Sequence, residues 1–161
     1  MAKLTLDIEY DYDFILFGIV CYERDYRICW ALNKDLGWKL EKTKDYELHG
    51  KKQELYHFTM YEYIDEELYR EYYVLSNKSY NSSKSFANAA MADLFGEEPE
   101  NSDRQLLIPE QAKADYFLLI KGNIDKEETP SLLDKVKRIP FVVTGFDIPI
   151  SSLKSKQNLL F

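Results

Sequence analysis

Four side chains of this sequence carry the softest metal-binding and most nucleophilic atoms: Cys21, Cys29, His49 and His57. Such residues can hold zinc, or pair as a nucleophile and its general base. Zinc modules bring ligands as pairs two to four residues apart, and these four residues are more widely spaced. We therefore expect no metal and no cofactor. Whether the four side chains meet in space is left open by the sequence.

Acidic residues alternate near the N-terminus at Asp7, Glu9, Asp11 and Asp13. Alternating carboxylates open the calcium loop of an EF-hand, which needs glycine at position six and glutamate at position twelve. Counted from Asp7, those positions hold Tyr12 and Gly18. The four carboxylates are better explained as the solvent face of a strand. Such a face would attract a protein partner with a basic surface.

Phosphate chemistry and acid–base chemistry also lack a signature here. None of the six glycines has the spacing of a P-loop or of a dinucleotide fingerprint. The carboxylate pairs Glu66-Glu67 and Glu97-Glu98 fall in expected turns, where solvated charge is the usual explanation. The sequence therefore predicts no catalytic residue, and it leaves enzymatic activity uncertain but disfavoured.

Composition predicts one globular domain over residues 1–161, since a chain of this length can bury a sizeable core. The net charge of −7 argues against nucleic acid, whose binding needs clustered Lys and Arg. The apolar run at 14–22 stops at Glu23, too short for a membrane span. No signal-peptide core is present, and two cysteines offer no disulfide framework, so we expect a cytoplasmic protein.

The first half of the chain predicts a strand followed by a helix. Apolar residues occupy the even positions from 4 to 16, the period of a strand. Helical spacing follows at 24–36, and Gly37 is placed to end that helix. The side chains expected on the inner face of the helix are Tyr26, Cys29, Trp30 and Asn33.

A β-hairpin is predicted from two aromatic-rich stretches, 55–64 and 68–77, around an acidic turn. One of its faces would hold a half-exposed tyrosine layer that includes Tyr61 and Tyr63, a candidate partner-binding surface. Residues 78–107 then predict a long, partly mobile loop. Its apolar side chains Phe86, Leu94 and Phe95 are candidates for docking on a partner.

The last third predicts a β-α-β unit: a strand at 116–121, a helix capped by Thr129, and a strand at 141–148. The tail, 151–161, can dock or fray. Since the first strand and helix are similar to this unit, the sequence predicts an α+β fold. We expect a mixed or antiparallel sheet with two helices on one face, on a ferredoxin-like plan of duplicated β-α-β with an inserted hairpin.

One segment, Ile108-Pro109-Glu110-Gln111-Ala112-Lys113-Ala114-Asp115-Tyr116, resembles the signature of the bacterial IPExxxVDY family. The stretches 25–33, 70–73, 117–122 and 152–156 are similar to that family's pattern as well. Ala114 stands where the family name has Val. The family has no assigned activity, so the resemblance implies a compact cytoplasmic protein and transfers no catalytic residue. Physically, the motif is typical of a loop that re-enters a core.

Two functions are left open by these observations. The first is a non-enzymatic protein–protein interaction or adaptor module that uses the acidic face, the aromatic hairpin or the 86–95 segment. The second is a small-molecule-binding regulatory domain of ferredoxin-like type, which requires a pocket near Tyr116 lined by polar groups. Partner identity and oligomeric state cannot be derived from the sequence.

Overall fold

The computed structural model of the chain describes residues 13–50, 54–81, 105–159 and 161. The strands in this part are β1 (Phe14–Cys21), β2 (Glu41–Lys42), β3 (Tyr46–His49), β4 (Leu55–Phe58), β5 (Met60–Asp65), β6 (Arg70–Ser76), β7 (Tyr80–Asn81), β8 (Tyr116–Gly122) and β9 (Val142–Asp147). The helices are α1 (Asp25–Leu36) and α2 (Glu128–Lys137). Short 3₁₀ turns occur at Pro109–Gln111, Ile150–Ser152 and Lys156–Leu159.

The main sheet has six strands in the order β2-β5-β6-β8-β1-β9, and all its hydrogen-bonded neighbours are antiparallel. Both β8 and β9 pair with β1, so they run parallel to each other with β1 between them. Helix α2 connects these two parallel strands. This is the predicted β-α-β unit, with β1 lying between its two parallel strands.

Both helices pack on one face of this sheet. Their apolar side chains, including Ile28, Leu32 and Val136, join Phe17 and Leu118 in one buried cluster. The predicted α+β class, with a mostly antiparallel sheet and two helices, is confirmed. The ferredoxin-like duplication stays a prediction, because α1 is followed by β2 to β5 before the chain reaches β6.

The other face of the main sheet is covered by a second sheet, β3-β4-β7, and by the C-terminal segment. Leu153 and Leu159 of that segment are buried beside Phe58 and Phe117. Because β1 and β8 are covered on both faces, their residues are apolar on both faces, which explains the continuous apolar runs in the sequence. The tail therefore docks in its described part.

Helix α1 begins at Asp25 and ends at Gly37, whose φ of 70° is the left-handed cap that the sequence predicted. Its inner face is only partly as predicted. Cys29 is buried, but Tyr26 and Trp30 are 57% and 59% exposed. The helix is rotated because Ile28 and Leu32, four residues apart, are fully buried against the sheet and occupy the inner face instead.

Two other boundaries differ from the predictions. The stretch expected as one strand, 55–64, is interrupted at Thr59, so β4 belongs to the second sheet and only β5 pairs with β6. Helix α2 begins at Glu128 with no side-chain cap, whereas Thr129 was expected to precede it. Arg70 binds the Glu128 carboxylate through two hydrogen bonds of 2.8 Å, which fixes this end of the helix from outside.

Several predicted features lie outside the described residues: the N-terminal part of the alternating strand, and most of the loop at 78–107. At the base of that loop, Lys78 and Leu106 form an isolated antiparallel β-bridge. Ser79 N–H donates to the Gln105 carbonyl at 2.9 Å. Neither helix of the described part is of the length and apolarity that crossing a membrane demands.

Candidate functional site

Asn77 fastens the segment 108–116, which resembles the family signature, to the end of β6. It follows β6 and is fully buried. Its side-chain amide donates to the carbonyls of Gln111 and Ala114 at 3.0 and 2.9 Å, and its Oδ1 accepts from Ile108 N–H at 2.9 Å. No local sequence pattern distinguishes this residue, because a polar residue at a strand end is usually a turn residue. Its long-range partners become visible only in the fold.

Asp115 ties the start of β8 to the end of β1. Its Oδ2 accepts from Cys21 N–H at 3.0 Å, and its own N–H donates to the Ile19 carbonyl at 2.9 Å. Its Oδ1 lies 3.6 Å from Lys78 Nζ in a half-exposed ion pair. The Asp115 carboxylate is therefore held by one backbone N–H donor and by one ion pair.

Tyr116 extends the same network toward α1. Its hydroxyl donates to the Glu23 carbonyl at 2.6 Å, and the side chain is 9% exposed. Burial, together with the nearby Asp25 carboxylate, raises the pKa of Tyr116 well above its ordinary value. The phenol is therefore protonated at neutral pH and serves as a donor rather than as a general base.

A cleft opens beside this network, with a volume of about 620 Å³. We call it the Asp115 cleft, and its lining comprises Cys21, Tyr22, Glu23, Arg24, Asp25, Thr59, Ser76, Lys78, Ser79, Asp115 and Tyr116. Both signs of charge are present, since Arg24 and Lys78 line it together with three carboxylates. Its size falls in the range of small-molecule sites, roughly 300–1,000 Å³.

The carboxylates of the cleft are held by groups of the protein itself. Asp25 Oδ1 accepts from Tyr26 N–H at 2.9 Å, and Glu23 lies 3.5 Å from Arg27. In contrast, the exposed Arg24 side chain has no acidic partner among the residues that the structure describes. A ligand entering the cleft would therefore find Arg24 open to an acidic group.

The structure separates the four soft side chains. Cys21 and Cys29 are free and buried on the helix side of the main sheet, and burial raises the pKa of both thiols. His49 and His57 lie in β3 and β4, in the sheet that covers the opposite face. Over the described ranges, no group of three or more His, Cys, Asp or Glu side chains is arranged to hold a metal ion.

The remaining motif residues contact other parts of the chain. Ile108 is fully buried, and Pro109 begins the 3₁₀ turn that leads toward Asp115. Glu110 is exposed and accepts from Ser155 Oγ at 2.7 Å. This bond joins two of the stretches that carry the family resemblance. In this geometry the motif fastens a loop and the C-terminal segment to the sheet, and only Asp115 and Tyr116 reach the cleft.

The residues expected to bind a partner are placed as follows. Asp13 is exposed, while Asp7, Glu9, Asp11, Phe86, Leu94 and Phe95 lie outside the described residues. Tyr61 and Tyr63 are half-buried on the helix side of the sheet, where the Tyr61 hydroxyl donates to Asp25 Oδ2 at 3.4 Å. Tyr63 stacks on Tyr72 with 5.6 Å between ring centroids. Their role in binding a partner stays a prediction.

An exposed aromatic surface lies on and just before α1. We call it the α1 aromatic surface, and it consists of Tyr22, Tyr26 and Trp30, which are 86%, 57% and 59% exposed. Lys34 extends it, with Nζ 5.1 Å from the centroid of the Trp30 ring. This surface was not predicted, because helical spacing placed Tyr26 and Trp30 on the inner face of the helix. Large aromatic side chains grouped on a surface are typical of interaction sites.

Comparisons with known proteins add no relative: no family model matches the chain, and no curated protein or solved structure matches it. The resemblance to the IPExxxVDY family stays a prediction.

Proposed function

We propose that this protein is a non-enzymatic small-molecule-binding domain whose ligand occupies the Asp115 cleft. The observation that supports this function is a cleft of about 620 Å³ beside Tyr116 with a polar, charged lining. Such a pocket is what the second sequence-based hypothesis required. A regulatory domain of the ferredoxin-like type is the closest description of such a module.

The lining favours a polar ligand that carries an acidic group. Arg24 offers a cation, and Lys78 offers a second one that is paired with Asp115. The hydroxyl side chains of Thr59, Ser76 and Ser79 lie along the same cleft. A purely apolar molecule would leave these groups without water or partner, which is costly. The protonated Tyr116 and the two buried thiols offer no ready base or nucleophile, so binding is favoured over catalysis.

A thermal-shift screen against charged metabolites tests this function. A molecule that binds the folded state at 100 times its Kd should add about 2.7 kcal/mol to the free energy of unfolding. Arg24→Gln and Lys78→Gln should each reduce the shift in melting temperature produced by that molecule. Lys154, an exposed lysine that does not line the cleft, provides the matched control: Lys154→Gln should keep the full shift.

The shift must be measured with and without ligand for each variant, because Lys78→Gln also removes the ion pair with Asp115. A shift that persists unchanged in both cleft variants would place the ligand elsewhere. A screen in which no molecule stabilises the protein would count against ligand binding in this cleft.

A second candidate is the protein–protein interaction or adaptor module. The α1 aromatic surface is the observation that favours it, since aromatic anchors supply much of the energy of protein interfaces. Co-purification from native cytoplasm tests it: Trp30→Ala should lose a stoichiometric partner that the wild-type protein retains. Val143→Ala, also at an exposed apolar side chain, is the control. A Trp30→Ala variant that retains the partner would argue against binding through this surface.

Both candidates assume a cytoplasmic protein. Two free, buried cysteines suit a reducing compartment and support that location. The acidic N-terminal face, of which Asp13 is the described residue, keeps a partner with a basic surface within the second proposal.

A further inference from the structure

The turn between β5 and β6, residues 66–69, has an unusual backbone, and Asp65 at the end of β5 is counted with it here. We call it the hairpin tip. Tyr69 has a φ of 54°, in the left-handed region that bulky residues rarely adopt. Its side chain is nevertheless 85% exposed, so little packing of the ring within the molecule offsets the strain. Strained residues of this kind are found at binding sites more often than elsewhere.

Contacts around the hairpin tip hold this conformation in place. Asp65 Oδ1 accepts from the N–H groups of Glu67 and Leu68 at 3.0 and 3.1 Å. Gly122 lies against the tip, since a Cβ at that position would approach the Tyr69 carbonyl oxygen to 2.5 Å. The next residue, Arg70, is held by the Glu128 carboxylate. The tip is therefore pre-organised, which lowers the entropic cost of binding.

The hairpin tip presents apolar and acidic groups together. Leu68 is 51% exposed beside Tyr69, and the exposed Glu66 and Glu67 have no ion pair with any residue in the described part of the chain. A partner for this tip must offer an apolar or aromatic surface with positive charge at its edge.

The α1 aromatic surface has this chemistry. Tyr26 and Trp30 lie one turn apart, with Arg24 before them and Lys34 after them. Arg24 and Lys34 are exposed, and neither has an ion-pair partner within the ranges that the structure describes. The exposed Asp35 lies beside Lys34. The charge match with the hairpin tip therefore rests on Arg24 and Lys34. The apolar match rests on Tyr26 and Trp30.

Within one molecule the two surfaces do not cover each other, because Tyr69, Tyr26 and Trp30 are 85%, 57% and 59% exposed. Arg70, next to the tip, pairs with Gly122, and the neighbouring Lys121 pairs with Phe14 at the start of β1. Helix α1 follows the other end of β1, seven residues further on. The end of β1 that leads into α1 is therefore roughly 23 Å from the end beside the tip, at 3.3 Å per residue.

We propose that two copies of this chain associate, with the hairpin tip of each seated on the α1 aromatic surface of the other. This inference rests on the second candidate function and names its partner as a second copy of the chain. In a two-fold dimer this contact forms twice, so both hairpin tips and both α1 aromatic surfaces are covered and no further copy can add.

Sedimentation velocity of the full chain over a concentration series tests the proposal. The wild-type mass should rise from monomer to dimer. Trp30→Ala and Tyr69→Gly should each weaken association by roughly tenfold or more, because each removes an aromatic anchor. Tyr69→Gly suits the positive φ, so loss of folding cannot explain its effect. Val143→Ala is the control and should associate like the wild type.

Charge reversal identifies which surfaces meet. Glu66→Lys with Glu67→Lys makes the tip basic, and Lys34→Glu makes the α1 aromatic surface more acidic. Each variant alone should associate more weakly, whereas an equimolar mixture should recover dimer, because each reversed surface then faces its complement. Lys154→Glu controls for the change in net charge.

A wild-type chain that stays monomeric up to its solubility limit overturns the proposal. So does a dimer that neither Trp30→Ala nor Tyr69→Gly weakens, or a mixture that shows no recovery. A native partner other than this chain, lost in Trp30→Ala while the purified chain stays monomeric, would overturn self-association and leave the second candidate function standing. Tyr22 and Arg24 border both sites, but Trp30, Lys34 and the tip do not line the Asp115 cleft, so variants at these positions test self-association separately from the thermal-shift screen.

Discussion

The carboxylate of Asp115 accepts a hydrogen bond from the backbone N–H of Cys21 at 3.0 Å, although 94 positions separate the two residues in the chain. The bond joins the start of β8 to the end of β1, where the chain turns into α1. Because Tyr116 then bonds to the Glu23 carbonyl, the floor of the Asp115 cleft is built from two distant segments. The shape of the cleft therefore depends on the long-range hydrogen bonds around it, which we call its clamps.

Asn77 is the first of these clamps to test. Asn77→Ala removes three hydrogen bonds of a fully buried side chain and leaves their partners unpaired. We expect the free energy of unfolding to fall by about 3 kcal/mol, measured by urea denaturation. The exposed Asn123→Ala is the matched control and should change it by less than about 0.5 kcal/mol. Equal effects would show that Asn77 is not a structural hub.

Two glycines with positive φ separate backbone strain from close packing. Gly37→Ala meets nothing within 4 Å and should cost about 1 kcal/mol from conformation alone. Gly122→Ala has the added clash with the Tyr69 carbonyl oxygen, so its cost should be larger, about 3 kcal/mol. Comparison of the two denaturation midpoints checks this order. Equal costs would mean that the hairpin tip yields readily.

The bidentate contact with Arg70 predicts a dependence of stability on acid. Hydrogen bonds from Arg70 lower the pKa of Glu128. A lowered folded-state pKa stabilises the protein above the ordinary glutamate pKa of about 4.3, and this stabilisation is lost as the pH falls through the folded-state value. Since Glu128 is half-exposed, solvent screening limits the effect to about 1 kcal/mol or less.

Glu128→Gln should remove that part of the acid dependence when the free energy of unfolding is measured from pH 6 down to the pH at which the protein unfolds. Glu127→Gln, one residue earlier and exposed, is the control. A wild-type acid profile in Glu128→Gln would contradict the assignment.

Tyr116 predicts a dependence of stability on alkali. Burial raises the pKa of Tyr116 above the value of about 10 for an unfolded tyrosine. The stabilisation linked to a raised pKa is present below pH ~10 and is lost as the pH rises toward the folded-state value. Tyr116→Phe should lower the free energy of unfolding by about 1 kcal/mol at pH 7, because the bond to Glu23 is lost. Its free energy of unfolding should also fall less steeply than that of the wild type above pH ~10. The exposed Tyr26→Phe should match the wild type, and a similar alkaline profile in all three proteins would refute the prediction.

Local patterns were sufficient for several elements. The helix that ends at Gly37, the pairing of β5 with β6, and the strands β8 and β9 with α2 between them all follow from periodicity and from turn or cap residues. These signals act within a few residues, so the sequence alone contains them. The α+β class follows from the order of such elements.

Which face of α1 is buried was decided by tertiary structure. Tyr26 and Trp30 are at helical spacing, as are Ile28 and Leu32, and both pairs are large enough to form a core. Only the fit against the sheet selects the second pair and leaves the aromatic side chains exposed. Helical periodicity identifies a set of apolar side chains along one face of a helix, and α1 contains two such sets on different faces.

The candidate site divides in the same way. The sequence by itself determined both helices and the strands β1, β8 and β9, the lack of recognised catalytic spacings, and the interest of the segment that ends in Asp115 and Tyr116. Only the tertiary structure brought Cys21, Asn77 and Lys78 to that segment and opened a cleft beside it. Hydrogen bonds between residues 31 to 94 positions apart leave no local pattern, because their partners are chosen by strand order and loop closure rather than by neighbours in the chain.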